Sequence, residues 1–267
     1  MARTLAVDSF CKEMAMKVEI LQDKLALGKR AAGAGASALR QALAEKSAAS
    51  VIVATGASQF EMIDALIQER GIEWSRVTIF HLDEYVGLPP DHPAGFRNYL
   101  QKRLLAHLPM PKDFVAIDGT AASIADEITR LNTLIGMHDI DVCFAGIGEN
   151  CHLAFNDPPA DFETRSPYIL VQLDEACRRQ QWSEGWFSTP DDVPRRAITM
   201  SVQQIAKSGK IILSVPDRRK AAAVKAAIEG AMTKEMPASF LQTHTDCTIY
   251  LDPPSASLLR HAPRGWP

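Results

Sequence analysis

Two glycines, a histidine and an acid follow one another in the segment Gly146-Ile147-Gly148-Glu149-Asn150-Cys151-His152-Leu153-Ala154-Phe155-Asn156-Asp157-Pro158, directly after the apolar run Val142-Cys143-Phe144-Ala145. Histidine changes charge near neutrality, so His152 is a ready carrier of a proton between two oxygens of a ligand. Asp157, five residues further on, can orient the imidazole or favour its charged form. Gly146 and Gly148 take backbone angles closed to other residues and let a ligand approach the main chain. A hydrogen-bonded histidine in an ordinary turn would carry the same letters, so this loop is weighed together with a second one.

That second loop follows Val77-Thr78-Ile79-Phe80-His81-Leu82, a run of β-branched and apolar residues that reads as a strand. The chain then continues as Asp83-Glu84-Tyr85-Val86-Gly87-Leu88-Pro89-Pro90. An isolated Asp-Glu pair is more often a solvated acidic turn than a site. With the His152 loop leaving a similar strand, Asp83 and Glu84 are expected to share its cleft, where open α/β sheets hold their ligands. A third turn, Thr55-Gly56-Ala57-Ser58, lies between the short strand Val51-Ile52-Val53-Ala54 and a helix from about Phe60 to Glu69. Strand, small-residue turn and helix aim backbone N–H groups at an anion. No Gly-Lys-Ser/Thr follows, so this is not a Walker loop.

The elements that must position these loops alternate along the chain. Helices are expected from Ser9 to about Leu27, Ala31 to Ala48, Ala94 to His107, Ala121 to Met137 and Arg219 to Glu229. Further strands are expected at Asp141 to Ala145, Ala197 to Val202, Lys210 to Val215 and Thr248 to Leu251. The pattern implies an α/β fold: a single domain over residues 1–267, with a Rossmann-like, open, mainly parallel sheet and helices on both faces. Residues 159–193 break the alternation, with Trp182, Trp186, Phe187, several prolines and Arg178-Arg179-Gln180-Gln181. They read equally as a lid over the site or as a helical hairpin closing the sheet edge. Residues 260–267 are expected to fray.

Composition narrows the functions. At 267 residues the chain can bury a substantial core, and 46% hydrophobic with 23% charged residues is ordinary for a globular protein. A net charge of −3 without a basic stripe argues against a nucleic-acid partner. No apolar run approaches the roughly 20 residues that span a bilayer, and Met1–Met14 lacks the pattern of a secretory signal, so a cytoplasmic protein without a membrane partner is expected. Five scattered cysteines with no CxxC spacing indicate neither a disulfide framework nor a zinc site, and no metal is expected.

With these loops in view, the sequence resembles the glucosamine-6-phosphate deaminase/isomerase family, which is related to the 6-phosphogluconolactonases. The resemblance runs from about Val51 to Leu258, through Thr55–Ser58, Leu82–Pro89, Gly146–Pro158, Val193-Pro194, Ala197–Thr199, Lys220, Ala227–Gly230 and Pro237–His244. The Asp-Glu-Tyr-Val-Gly-Leu-Pro and His-Leu-Ala-Phe-Asn blocks belong to the deaminase branch; lactonases carry Asp-Glu-Arg and a Gly-His-Thr-Ala-Ser type of loop. The resemblance implies a cofactor-free conversion of glucosamine 6-phosphate and water to fructose 6-phosphate and ammonia, in amino-sugar catabolism. It implies that His152 shuttles the proton of ring opening, that Asp83 carries a proton from C2 to C1, and that Asp157 works with the histidine. Glu84 matches a further acid of the family's site. The substrate phosphate is expected on Thr55, Gly56, Ala57, Ser58 and Lys220, by charge-assisted hydrogen bonds. The implied partner is a small sugar phosphate, and the resemblance leaves room for a homo-oligomer.

Four positions depart from the family's pattern. Asn150 stands where the family's loop has an aspartate, and Cys151 stands where it has glycine. Asp157 replaces a glutamate with about one methylene less reach. The arginine that clamps phosphate from the family's lid has no clear counterpart; Trp182 or Ser183 falls near it, with Arg178 and Arg179 as the candidate substitutes. Two other activities are compatible with the family: hydrolysis of a sugar-phosphate lactone, and sugar-phosphate sensing by a catalytically impaired deaminase. The missing lactonase motifs weigh against the first, and retention of Asp83 and His152 weighs against the second.

Overall fold

The structure, a computed structural model, describes residues 16–260. In chain order these form β1 (Met16–Ile20), α1 (Lys24–Glu45), β2 (Ala49–Val53), α2 (Phe60–Leu66), β3 (Val77–His81), β4 (Asp83–Tyr85), α3 (Phe96–Arg103), β5 (Asp113–Val115), α4 (Ile124–Ile135), β6 (Val142–Ala145), β7 (Tyr168–Gln172), α5 (Glu175–Ser183), β8 (Arg196–Met200), α6 (Val202–Ile205), β9 (Lys210–Val215), α7 (Ala221–Glu229), β10 (Cys247–Leu251) and α8 (Pro253–Ala256).

Seven strands make a parallel sheet in the order β1-β10-β9-β6-β2-β3-β5. Helices on both faces bury the central strands completely, which is why β2, β3, β6 and β10 read as near-continuous apolar runs rather than as alternating ones. Successive residues of one strand still face opposite ways. Ile52, Phe80 and Cys143 join one core layer, while Val51, Val53, Ile79 and Phe144 join the other, beneath α1 and α2. Gly35 of α1 lies directly on the Phe144 ring, where a β-carbon would collide, so the helix can approach the sheet only with glycine there.

Three strands form a second, antiparallel sheet in the order β4-β8-β7. This corrects three expectations. Asp83 and Glu84 are not in a loop; with Tyr85 they pair against Ala197–Thr199. The strand expected at residues 197–202 is β8, which joins this small sheet and not the parallel one. The excursion at 159–193 is not a helical hairpin. It supplies strand β7, and then the single helix α5, which lies over the cleft described below.

The helix expected from Ser9 to Leu27 is also corrected where it is described. Residues 16–20 are edge strand β1, and helix α1 starts only at Lys24, capped by the Asp23 carboxylate accepting from the Ala26 N–H. Residues 9–15 of that expectation, and the fraying expected of residues 261–267, lie outside the described residues. The two-residue period of Met16, Val18 and Ile20 fits a strand, and its register against Cys247–Leu251 fixes it. No helix among the described residues is long and apolar enough to cross a membrane.

Candidate active site

A cleft opens at the C-terminal ends of the strands, the usual place for ligands in open α/β sheets. It is lined by the Thr55–Ser58 turn and Gly146–Gly148, by Asp83, His152 and Lys220, and by Gln180 and Gln181 of α5 with Glu184 just after it. The three loops singled out by sequence therefore meet in one cavity.

Strand alternation sorts the two adjacent acids. Asp83 and its neighbour Glu84 lie on successive positions of β4, so their side chains leave opposite faces. Asp83 lines the cleft, whereas the Glu84 carboxylate accepts the N–H groups of Tyr85 (2.9 Å), Phe96 (3.2 Å) and Arg97 (2.7 Å). Glu84 thereby ties β4 to the start of α3 and stays outside the main cleft. Burial, reinforced by the charge of Glu84, raises the Asp83 carboxyl well above the usual carboxylate range. Burial raises Glu84 too, although its bonds from Arg97 and Phe96 pull the other way.

His152 is held from behind. Its Nδ1 lies 3.1 Å from Asp157 Oδ1, which leaves Nε2 for the cleft. The turn from Gly148 to His152 is closed by the Cys151 N–H bonding the Gly148 carbonyl (3.0 Å) and the Gly148 N–H bonding the His152 carbonyl (2.9 Å). Cys151, in this turn, sits at φ 69°, a left-handed conformation that favours glycine. Gly148 leaves room for the imidazole, since a β-carbon there would fall within the ring's own envelope.

Asp157 is the hub of the loop. Besides His152, it accepts the Asn150 amide at 3.1 Å and the backbone N–H of Asp174 at 3.0 Å. Burial alone would raise its carboxyl; the bond and charge of His152, with those two further donors, outweigh burial and hold it below its ordinary value. Asn150 reaches on to Asp174 Oδ2 (3.3 Å), and its own oxygen accepts the His152 N–H (3.1 Å). Asp174 also caps α5. One amide thus links the catalytic-type loop to the root of the lid.

Asn150→Asp should therefore be harmful: it replaces a donor between two carboxylates by a third carboxylate. We expect a loss of about 1.5–3 kcal/mol, the range for hydrogen bonds to charged groups. Urea unfolding at pH 7.5 checks it, and a mutant as stable as the parent would show the amide bonds to be without weight.

His152, Asp157 and Cys177 bring three donor atoms within 4.8 Å of one another, the makings of a cation site. The residues do not suit that role. The Asp157 oxygens are already engaged by three donors. Burial and the charges of Asp157 and Asp174 push the Cys177 thiol well above its ordinary value, the opposite of what a thiolate ligand needs.

Lys220 sits at the N-terminal end of α7, 4% exposed, and its ammonium makes no hydrogen bond or ion pair among the described residues. Burial lowers its pKa, partly offset by the carboxylates of Glu184 and Glu149. It lines the cleft together with the 55–58 turn, where Gly56 has φ 97°.

The lid arginines are engaged elsewhere. Arg178 bonds the carbonyls of Val193 (3.1 Å) and Pro190 (2.8 Å), and Arg179 pairs with Glu175 at the surface. Neither lines the cleft. The side chains that do, Gln180, Gln181 and Glu184, had only the Asp174 cap and a four-residue spacing to announce them. Tyr85 reaches the lid as well, donating from its hydroxyl to Gln181 Oε1 at 3.0 Å.

This architecture has known counterparts. Residues 22–250 match the family model described as glucosamine-6-phosphate isomerases/6-phosphogluconolactonase. A glucosamine-6-phosphate deaminase of Lacticaseibacillus paracasei is 39% identical over 209 residues, covering 78% of this chain and 85% of the relative. One from Lactobacillus delbrueckii subsp. bulgaricus is 31% identical over 92% of this chain and 100% of the relative. Among solved structures, a monomeric glucosamine-6-phosphate deaminase superposes with a TM-score of 0.84 at 32% identity, over 91% of this chain and all of the other. The 6-phosphogluconolactonase of Trypanosoma brucei shares the fold, with a TM-score of 0.74 at 15% identity, over 91% of this chain and 98% of the other. By the extent of the family match and the identity to these deaminases, the chain belongs to the glucosamine-6-phosphate isomerase/6-phosphogluconolactonase family.

Proposed function

We propose that this chain is a glucosamine-6-phosphate deaminase, converting glucosamine 6-phosphate and water to fructose 6-phosphate and ammonia. The observation that carries the reading is that Asp83 and His152 line the same cleft as Lys220 and the 55–58 turn. A sugar phosphate anchored by Lys220 and that turn brings its carbon chain to the two proton-transfer groups.

In this reading His152 Nε2 takes the proton of the C1 hydroxyl and returns one to the ring oxygen, so the ring opens to the aldehyde. Asp157 holds the imidazole by Nδ1. Asp83, as carboxylate, removes the C2 proton while the C1 oxygen gains the proton that the 2-ammonium group gives up through His152, which forms the enolamine; Asp83 then delivers its proton to C1, which leaves a protonated imine at C2. Water adds to that imine and ammonia departs, leaving the ketone. A carboxyl raised by burial suits this traffic, because its acid and base forms lie closer in energy at working pH. Glu84 acts by holding β4 in register, through its three backbone bonds, rather than by touching substrate. Asn150 and Asp174 position the dyad, and Arg178 braces the lid. No step calls on a cofactor. We place the reaction in cytoplasmic amino-sugar catabolism, carried out by a single domain.

A coupled assay for ammonia and fructose 6-phosphate tests the reading directly, and a wild-type protein that releases neither from glucosamine 6-phosphate overturns it. The anchoring role of Lys220 has its own measurement. Lys220→Ala should weaken sugar-phosphate binding by about 1.5–3 kcal/mol, the range for hydrogen bonds to charged groups. Titration calorimetry with phosphorylated and plain sugar decides it; equal affinities for the two would remove the phosphate from this part of the cleft.

A further inference from the structure

The inward face of the lid carries one charged group, and its sign is negative. Glu184 lines the cleft from the C-terminal end of α5. Its carboxylate is steered there by two donors, Gln180 Nε2 at 2.9 Å and the Trp186 indole N–H at 3.3 Å. Trp186 is fixed in turn, edge-on to Phe60 and Tyr99 with ring centroids 6.3 and 6.2 Å away. The Tyr99 hydroxyl donates to the Gly56 carbonyl at 3.1 Å, inside the 55–58 turn. A chain of contacts therefore sets the position of Glu184 relative to that turn.

The charges around this end of the cavity do not add up to a strong anion trap. Lys220 is the one Lys or Arg lining the cleft among the described residues, and Glu184 is a carboxylate that it feels. The neighbouring Arg219 is engaged by Glu149 at 3.2 Å. A helix C-terminus also presents carbonyl oxygens, which add to the negative potential on the lid side. An incoming phosphate dianion gains the Lys220 ammonium and meets the Glu184 carboxylate in a partly dehydrated space, where like charges repel more than in water.

We propose that Glu184 is a specificity-determining residue: its carboxylate opposes the phosphate dianion across the cleft from Lys220 and keeps substrate affinity low. The proposal rests on the sugar-phosphate reading of the site. It assigns Glu184 no part in proton transfer, so its effect belongs in KM and in anion affinity.

The test is Glu184→Gln in the full chain, which keeps the size and an acceptor oxygen but removes the charge. KM for glucosamine 6-phosphate should fall by about tenfold, as expected for relief of a charge repulsion worth one decade in affinity. The dissociation constant of inorganic phosphate, read by phosphorus NMR titration, should fall by a similar factor. Glu184→Asp is the control that keeps the charge and should retain the parent's weak phosphate binding. Both constants unchanged or raised in Glu184→Gln would overturn the proposal and make Glu184 a neutral or favourable substrate contact. Glu184→Asp gaining affinity as Glu184→Gln does would equally overturn it, since charge would not be the cause. The phosphate titration needs no turnover, so absence of ammonia release by the parent would reject the deaminase reading and still leave Glu184 decided.

Discussion

Asp83→Asn should lower deaminase turnover by about two to four powers of ten, the usual weight of a positioned acid–base group, and should at the same time make the protein more stable at neutral pH. The first half follows from geometry. Asp83 is the carboxyl that the β4–β8 pairing turns into the cleft, and Glu84, its neighbour, is committed to the backbone of α3 and cannot replace it. Asparagine matches the shape but cannot accept the C2 proton. Incubation in deuterium oxide gives the most direct readout, since exchange at C2 should stop while binding survives. Exchange at the wild-type rate would mean that another base does the work.

The second half follows from burial. The folded-state pKa of Asp83 is raised, by burial first and the charge of Glu84 second. For a carboxyl raised on folding, the cost of carrying its charge is fully present above the folded pKa. It shrinks as pH falls through that value and vanishes below the unfolded pKa of about 3.9. Asparagine has no such cost. The mutant's advantage in Tm should therefore be greatest at pH 7–8 and fade on acidification, at about 2–4 °C for each kcal/mol relieved in a domain of this size. A mutant melting below the parent across that range would show the carboxylate to be a net stabiliser. In the proposed mechanism Asp83 acts as carboxylate, so its raised pKa should put the acidic limb of the pH–rate profile above the ordinary carboxylate range.

Much of this was legible in the residues, and the exceptions have a common cause. The interior strands β2, β3, β6, β9 and β10 announce themselves, because burial on both faces demands unbroken apolar runs. Edge strand β1 did not: Lys17 and Glu19 interrupt its apolar residues, and what makes it a strand is pairing with Cys247–Leu251 at the far end of the chain. Strand β4 hid for a similar reason. Asp and Glu have poor strand propensity, and only the register against Ala197–Thr199 overrides it. That override matters for chemistry, since two acids that look equivalent in sequence are sent to opposite faces. The loops of Thr55, Asp83 and His152 could be brought together by the rule that ligands bind beyond the carboxyl ends of parallel strands. The lid could not be assigned in that way. Arg178 and Arg179 have the right charge for a phosphate, yet the turn of α5 sends Arg178 to the carbonyls of Val193 and Pro190 and Arg179 to the surface, while Gln180, Gln181 and Glu184 line the cleft.

His152→Ala should cost turnover about two to four powers of ten as well, with the fold preserved. Its imidazole is the one histidine ring lining the cleft among the described residues, held by Asp157 at 3.1 Å through Nδ1. The variant also leaves Asp157 short of its strongest partner, so the carboxyl, now held low, should rise. A carboxyl depressed on folding contributes stability that is present above its unfolded pKa of about 3.9 and is lost as pH falls through the folded value. The stability deficit of His152→Ala should accordingly be present at neutral pH and shrink only below the ordinary carboxylate range, which denaturant unfolding at about pH 7.5 and about pH 2.5 measures. Loss of activity through misfolding would show instead as a deficit that persists at both. Gly148→Ala supplies an independent route to the same point, because the added methyl occupies the space of the His152 ring and forces it off Asp157. Added imidazole should restore part of the turnover of His152→Ala, by filling the vacated space, and should do nothing for Gly148→Ala, where that space is taken. Full turnover in His152→Ala would remove the histidine from the proton path and leave ring opening to solvent.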